Sequence, residues 1–211
     1  MKYRTRVWKP FDRDNYHWAW KDGNVLGIIK EFCRDMRRCH ERIWKGYCDY
    51  DTFSIFDWFL GLMPTMLEDF RDHTDGYPSR LDSERQNPAL DDSQKDKAGM
   101  QAWKDVLDKM IFLMKEVDEA TCSRENPFEE EYRKARKEFE GKYGPFGEKL
   151  LTEEERKDHI GTRVYFPSDV EEYKPISDQY FEELKKIHAY RHECKDQALA
   201  LFSEWFFDLW D

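Results

Sequence analysis

Five cations recur at helical spacing near the start of this 211-residue chain: Lys30, Arg34, Arg38, Arg42 and Lys45. Steps of three and four place them on one face of an α-helix. Arg37 borders that face, and Arg4 and Arg6 stand upstream of it. Guanidinium forks grip phosphate oxygens in pairs, and the neighbouring Trp44 and Tyr47 offer faces on which a base stacks. The whole chain carries a net charge of -10, so a cationic stripe needs a counter-charge. Two arrangements supply one. In the first, an acidic helix such as the one holding Glu129 to Glu131 lies across the stripe and the charges pair within the chain. In the second, Arg34, Arg38, Arg42, Lys45 and Tyr47 line a pocket for a phosphate-bearing, nucleotide-type ligand. Arg191 points the same way. It interrupts an apolar stripe between Ile187 and Cys194, and a buried guanidinium without a partner is costly. It must pair with a carboxylate, cap a helix C-terminus or line a polar cavity. His188, three residues earlier, joins this candidate set.

Other constellations have less behind them. His188 and His192 are spaced for a shared metal, as are Asp69 and His73, but no Glu sits beside His188 as a metalloprotease helix requires. Hydrogen-bonded or solvated histidines explain these pairs more simply. Glu116 and Glu119 form one of the two carboxylate pairs that an all-α, magnesium-dependent nucleotide pyrophosphohydrolase needs, and no second pair matches it. Cys48 precedes a helix start, where a thiolate is stabilised, yet no His lies nearby in sequence. Gly141, Gly144 and Gly147 follow a helix rather than a strand and mark a turn-rich loop, not a dinucleotide fingerprint. No catalytic residue, metal site or cofactor is assigned. A binding protein is favoured over an enzyme.

The bulk composition frames these candidates. A mean hydropathy of -0.97 and 38% charged residues suggest disorder, but 16% aromatic residues argue for a core. Residues 1–50 hold 12 Lys+Arg against 7 Asp+Glu, a balance of +5, and the remainder carries -15. An acidic chain is poorly suited to nucleic acid or anionic membrane. Five scattered cysteines without close pairs indicate neither disulfides nor a zinc ribbon. The start MKYRTRVWKP lacks a signal-peptide core, and no apolar run approaches the ~20 residues of a membrane span. Cytoplasm is the expected compartment.

Periodicity then supplies the elements. Residues 2–8 alternate like a short strand. Val25, Ile29, Phe32, Met36, Cys39 and Ile43 form the inward stripe of a helix over about 24–45, stopped by Gly46. A second helix, capped by Asp49 or Asp51, turns Phe53, Phe56, Leu60, Met63, Leu67 and Phe70 inward and contains Pro64, where a kink is expected. Residues 74–99 read as a long surface loop. A third helix over about 101–121 buries Trp103, Leu107, Met110, Met114 and Val117. Asn126 and Pro127 open a fourth, with Phe128, Tyr132, Ala135 and Phe139. Residues 141–177 are irregular and rich in Gly and Pro, with a capping box at Thr152 and Glu155 and a short strand at 162–166. The last helix, about 178–209, carries Leu184, Ile187, Cys194, Ala198, Leu201 and Trp205 on one stripe. Its end is too apolar to fray and must dock into the core or another subunit. The expected fold is mainly α: a single domain over residues 1–211, a bundle of five or six helices with room for a two-stranded β ribbon.

The residues now in view carry a resemblance. Lys45-Gly46-Tyr47-Cys48-Asp49-Tyr50-Asp51 precedes a helix and His73-Thr74-Asp75-Gly76-Tyr77-Pro78 follows it. Trp103, Leu107 and Met110 come next, then Ala198 to Phe202 with Trp205, Phe206, Leu209 and Trp210. This order resembles a widespread family of small helical proteins encoded by bacteriophages and prophages. Cys48 stands where Ser is usual in that family, and the insertion over 79–99 is longer. The family has no settled activity, so no catalytic residues carry over. The resemblance implies a phage product in the host cytoplasm, of the kind often engaged in counter-defence. The combined expectation is a non-enzymatic accessory protein, a homo-oligomer, that sequesters a small anionic, nucleotide-like signal. The alternatives are an acidic module that binds and inhibits a host protein, and the pyrophosphohydrolase.

Overall fold

A computed structural model of the chain describes residues 25–81, 91–153, 155 and 163–210. Among them the fold is mainly α. Five helices span Val25–Lys45 (α1), Ile55–His73 (α2), Asp92–Val117 (α3), Glu129–Tyr143 (α4) and Lys174–Glu204 (α5). Short 3₁₀ turns at Asp51–Phe53, Glu148–Leu150, Pro167–Asp169 and Phe206–Asp208 join or end them. No strand occurs among the described residues. Residues 163–166 form no ladder; Tyr165 N–H donates to the Phe146 carbonyl at 3.1 Å in a loop instead. The other expected strand, residues 2–8 with Arg4 and Arg6, lies outside the described residues.

The chain gathers into two compact units. The first comprises residues 1–122 and 193–211, the second residues 123–192. In the first, α2 packs along α3. Trp103, Leu107, Met110 and Met114 are fully buried, as their spacing predicts. Phe70 meets Trp103 edge to face with centroids 6.4 Å apart, and Trp205 lies 5.1 Å from Trp103. Edge-on and tilted ring contacts of this kind add to the area they bury. Arg80 covers the outer face of Trp205 at 3.2 Å and donates to the Glu204 carbonyl and the Asp208 carboxylate, both at 2.8 Å. The C-terminus is thereby held by a cation–π contact and two hydrogen bonds.

In the second unit Ala135, Phe139 and Tyr173 form the core, with Tyr143, Leu150, Tyr165, Val170 and Ile176 around them. Tyr132 stacks on Tyr180 at 4.2 Å. Asn126 accepts from Phe128 N–H at 3.0 Å and donates to the Tyr180 carbonyl at 2.9 Å, fixing the turn before α4. Gly144 and Gly147 take positive φ after α4, in the turn-rich segment that their spacing predicts. The Thr152–Glu155 capping box forms as expected, with bonds of 2.8 and 3.2 Å.

Several boundaries differ from the sequence reading. The loop expected over 74–99 is shorter, because α3 starts at Asp92. Asp91 caps it, accepting from Gln94 N–H while Gln94 returns a bond to Asp91 N–H. Gly99 sits inside that helix for a packing reason: a Cβ there would overlap the ring of Tyr77. The Gly-Tyr-Pro segment thus docks against α3. Residues 82–90 of the expected loop lie outside the described residues. The last helix begins at Lys174, earlier than expected, and ends at Glu204. α2 runs through Pro64, which is buried.

The largest correction concerns α1. Its buried residues are Gly27, Glu31 and Asp35, with Arg38 and Arg42 half-buried, so its polar face turns inward. Val25, Ile29, Phe32, Met36 and Ile43, expected inside, are exposed. Phe53 and Phe56, the first residues of the stripe assigned to α2, are exposed as well, while Leu67 is buried.

Candidate functional site

The cationic face of α1 was the sequence's principal candidate, and α1 and the turn after it position it. Gly46 ends the helix with φ +79, donating its N–H to the Arg42 carbonyl at 2.9 Å. Only a residue at ease in the left-handed region turns the chain there without strain. The chain then folds back through Cys48 to Asp51. Asp51 N–H donates to the Cys48 carbonyl at 2.9 Å, and Cys48 N–H donates to Asp51 Oδ2 at 2.8 Å. This reciprocal turn aims a buried carboxylate at α1.

The cations meet that carboxylate and its neighbours. Arg42 grips Asp51 in a fork, Nε to Oδ2 at 2.9 Å and Nη2 to Oδ1 at 2.6 Å. Arg38 pairs with Asp35 at 3.1 Å and lies 4.7 Å from the Tyr50 ring centre. Arg34 pairs with Glu31 at 3.1 Å. Arg37 bonds Glu41 at 2.7 Å and Asp49 at 3.0 Å, and Lys45 reaches Asp49 at 3.9 Å. Glu41 in turn accepts from Asp49 N–H at 3.1 Å. Arg34, Arg38, Arg42 and Lys45 thus meet carboxylates of their own segment.

Electrostatics follow from this geometry. Burial pushes the Asp51 carboxyl up, but the Arg42 fork and the Cys48 N–H outweigh it and leave its pKa below the usual value. The hydrogen bond to Asp51 raises Arg42. The hydrogen bond from Arg37, reinforced by Asp49 N–H, lowers Glu41.

Tyr47 stands exposed at the turn. It borders an apolar depression of about 230 Å³ lined also by Asp51, Thr52, Ile55 and Trp58. Trp44 is 77% exposed. Among the described residues, Arg34, Arg38, Arg42 and Lys45 are therefore brought together around carboxylates. Arg191 is half-buried and already engaged in interactions of its own. His188 is exposed on α5. Both belong to the second unit.

The remaining candidates resolve individually. Cys48 is fully buried, a packed residue rather than an accessible nucleophile. Glu116 is buried and accepts from the Cys122 thiol at 3.8 Å, whereas Glu119 is exposed, so the two do not face one ligand. His73 bonds the Asp69 carbonyl at 2.7 Å, which raises its pKa. His192 is exposed. Among the described residues no group of three or more His, Cys, Asp or Glu is placed to hold a metal. None of the described helices is long and apolar enough to cross a membrane.

Sequence reasoning missed the outward apolar face of α1. The signal was present in the same helix: Glu31, Asp35, Arg38 and Arg42 also recur every three or four residues, so two faces competed for the inward position.

No family model, no curated protein and no solved structure matches this chain. The likeness to phage-encoded helical proteins therefore rests on the residues quoted for it.

Proposed function

We propose that this chain is a non-catalytic interaction protein that binds a partner protein through the apolar face of α1. One observation carries this reading. A 21-residue helix exposes Val25, Leu26, Ile29, Met36, Ile43 and Trp44 along one side while its ionic side faces inward. Exposed apolar stripes of this length are characteristic of helix-in-groove recognition. Lys30 flanks the stripe at the surface. The fitting partner is an apolar groove with a carboxylate at its rim. A phage product that inhibits a host protein is the setting suggested by the family resemblance.

Affinity capture from a bacterial lysate tests this. The wild-type chain should retain one stoichiometric protein that Ile43→Glu loses and Lys185→Ala keeps. Equal retention by Ile43→Glu would remove the basis of the reading.

A nucleotide-type ligand at Arg34, Arg38, Arg42, Lys45 and Tyr47 has weaker support. Such a ligand would have to displace Asp35, Asp49 and Asp51 from their cations. The depression beside Tyr47 is smaller than the roughly 300–1,000 Å³ usual for small-molecule sites, and Asp51 in its wall repels phosphate. Calorimetry with cyclic and ADP-ribose-type nucleotides decides it; saturable binding abolished by Arg42→Ala would restore that reading.

A further inference from the structure

The C-terminal segment solves only half of its burial problem within the chain. Trp205 enters the core beside Trp103. Phe206, Phe207 and Trp210 do not follow it: Phe207 is 86% and Trp210 74% exposed. Phe206 and Phe207 are part of a continuous surface, and Trp210 follows three residues on. Phe59 of α2 meets Phe202 at 6.1 Å, Phe202 meets Phe206 at 5.5 Å, and Phe206 meets Phe207 at 5.4 Å. Ile55 and Phe56, one turn before Phe59 on the same side of α2, extend it and are exposed.

We infer that this aromatic ladder is a two-fold interface, and that its occupant is a second copy of this chain. Area is the first argument. Ile55, Phe56, Phe206, Phe207 and Trp210 expose roughly 700 Å² together, taking about 150–250 Å² for a whole aromatic side chain. Each partner in a standard stable interface contributes about 800 Å². Shape is the second. A two-fold contact must be self-complementary. The ladder offers both parts of a fit: a projecting ring, Phe207, and the apolar depression of about 230 Å³ bordered by Ile55 and Trp58. Charge is the third. The rim includes the cation Arg80 beside the carboxylates of Glu204 and Asp208. A rim with both signs accepts its own copy, whereas residues 51–211, with their large acidic excess, disfavour an anionic membrane surface.

The contact is distinct from the α1 face assigned to a partner protein, so the two readings fail separately. Sedimentation velocity and light scattering on the full chain, over a wide range of concentration, read it directly. The expected result is a species of twice the 25.8 kDa chain mass that dissociates on dilution. Phe207→Glu should raise its dissociation constant at least about 30-fold, the size of an interface hot spot. Trp210→Asp should raise it too, and Ile43→Glu should leave it unchanged. Circular dichroism of each variant confirms that the helices persist. A single 25.8 kDa species at every concentration overturns the inference, as does a dimer that Phe207→Glu leaves intact. A dimer dissolved by Ile43→Glu alone overturns it as well and assigns self-association to α1.

Discussion

α1 and α3 are both amphipathic helices of the same unit, and they bury opposite kinds of face. α3 turns Trp103, Leu107, Met110 and Met114 inward against α2 and Trp205. α1 turns Glu31, Asp35, Arg38 and Arg42 inward and leaves its aliphatic residues exposed. The difference lies in the available partners. α3 has rings to meet. α1 has Asp51, a buried carboxylate held by the turn at Cys48, and a polar face whose charges cancel locally. Buried charge is tolerated when it is paired and hydrogen-bonded. An amphipathic pattern therefore specifies that one face is buried, not which one.

The comparison can be broken at its apolar side first. Trp103→Ala should cost about 3–5 kcal/mol in urea unfolding, as expected for a fully buried Trp with two ring partners. The ionic side should respond less, because Arg42 retains some solvent. Asp51→Ala should cost about 2 kcal/mol by the same measurement, chiefly by stranding the Arg42 guanidinium and the Cys48 N–H. A smaller cost than for Trp103→Ala confirms the ranking; an equal or larger one would show that the ionic face anchors the unit.

The same pair sets an acid limb. Because the folded pKa of Asp51 is lowered, its stabilisation is complete above the ordinary aspartate value. It is lost as pH falls through the lowered folded value. Unfolding midpoints measured between pH 5 and pH 2 should therefore fall less steeply in Asp51→Asn than in the wild type.

Gly99→Ala tests how the Gly-Tyr-Pro segment docks. Helix propensity alone would favour Ala by about 1 kcal/mol. Overlap with the Tyr77 ring should reverse that sign, for a net loss of about 1–2 kcal/mol. A stabilised variant would show that the ring moves aside without cost. The smallest effect belongs to the exposed face of α1. Ile43, 80% exposed, should tolerate Ser within about 0.5 kcal/mol in thermal unfolding, as a surface position. A large loss would show that this face is buried in solution.

Local chemistry made much of this protein legible from residues alone. The helical class, the Gly46 stop, the capping box at Thr152 and Glu155, the turns at Gly144 and Gly147, and the inward stripes of α3 and α5 all follow from short-range spacing and propensity. The start of α3 was missed, although Asp91 and Gln94 carry a capping signal, because the Gly and Pro residues around them read as loop. The cationic stripe was visible too. Its purpose was not, because charge pairing depends on which carboxylates the fold brings near.

What the sequence determined is therefore one-dimensional: where helices run, where they stop, and which faces differ in character. Tertiary structure decided the rest. It turned the charged face of α1 toward Asp51, closed Arg80 over Trp205, and left Phe206, Phe207 and Trp210 outside a core that had accepted Trp205. The physical reason is that helix formation is settled over three or four residues, whereas burial is a competition among all surfaces in reach. In that competition a fully paired ionic face prevailed over an aliphatic one.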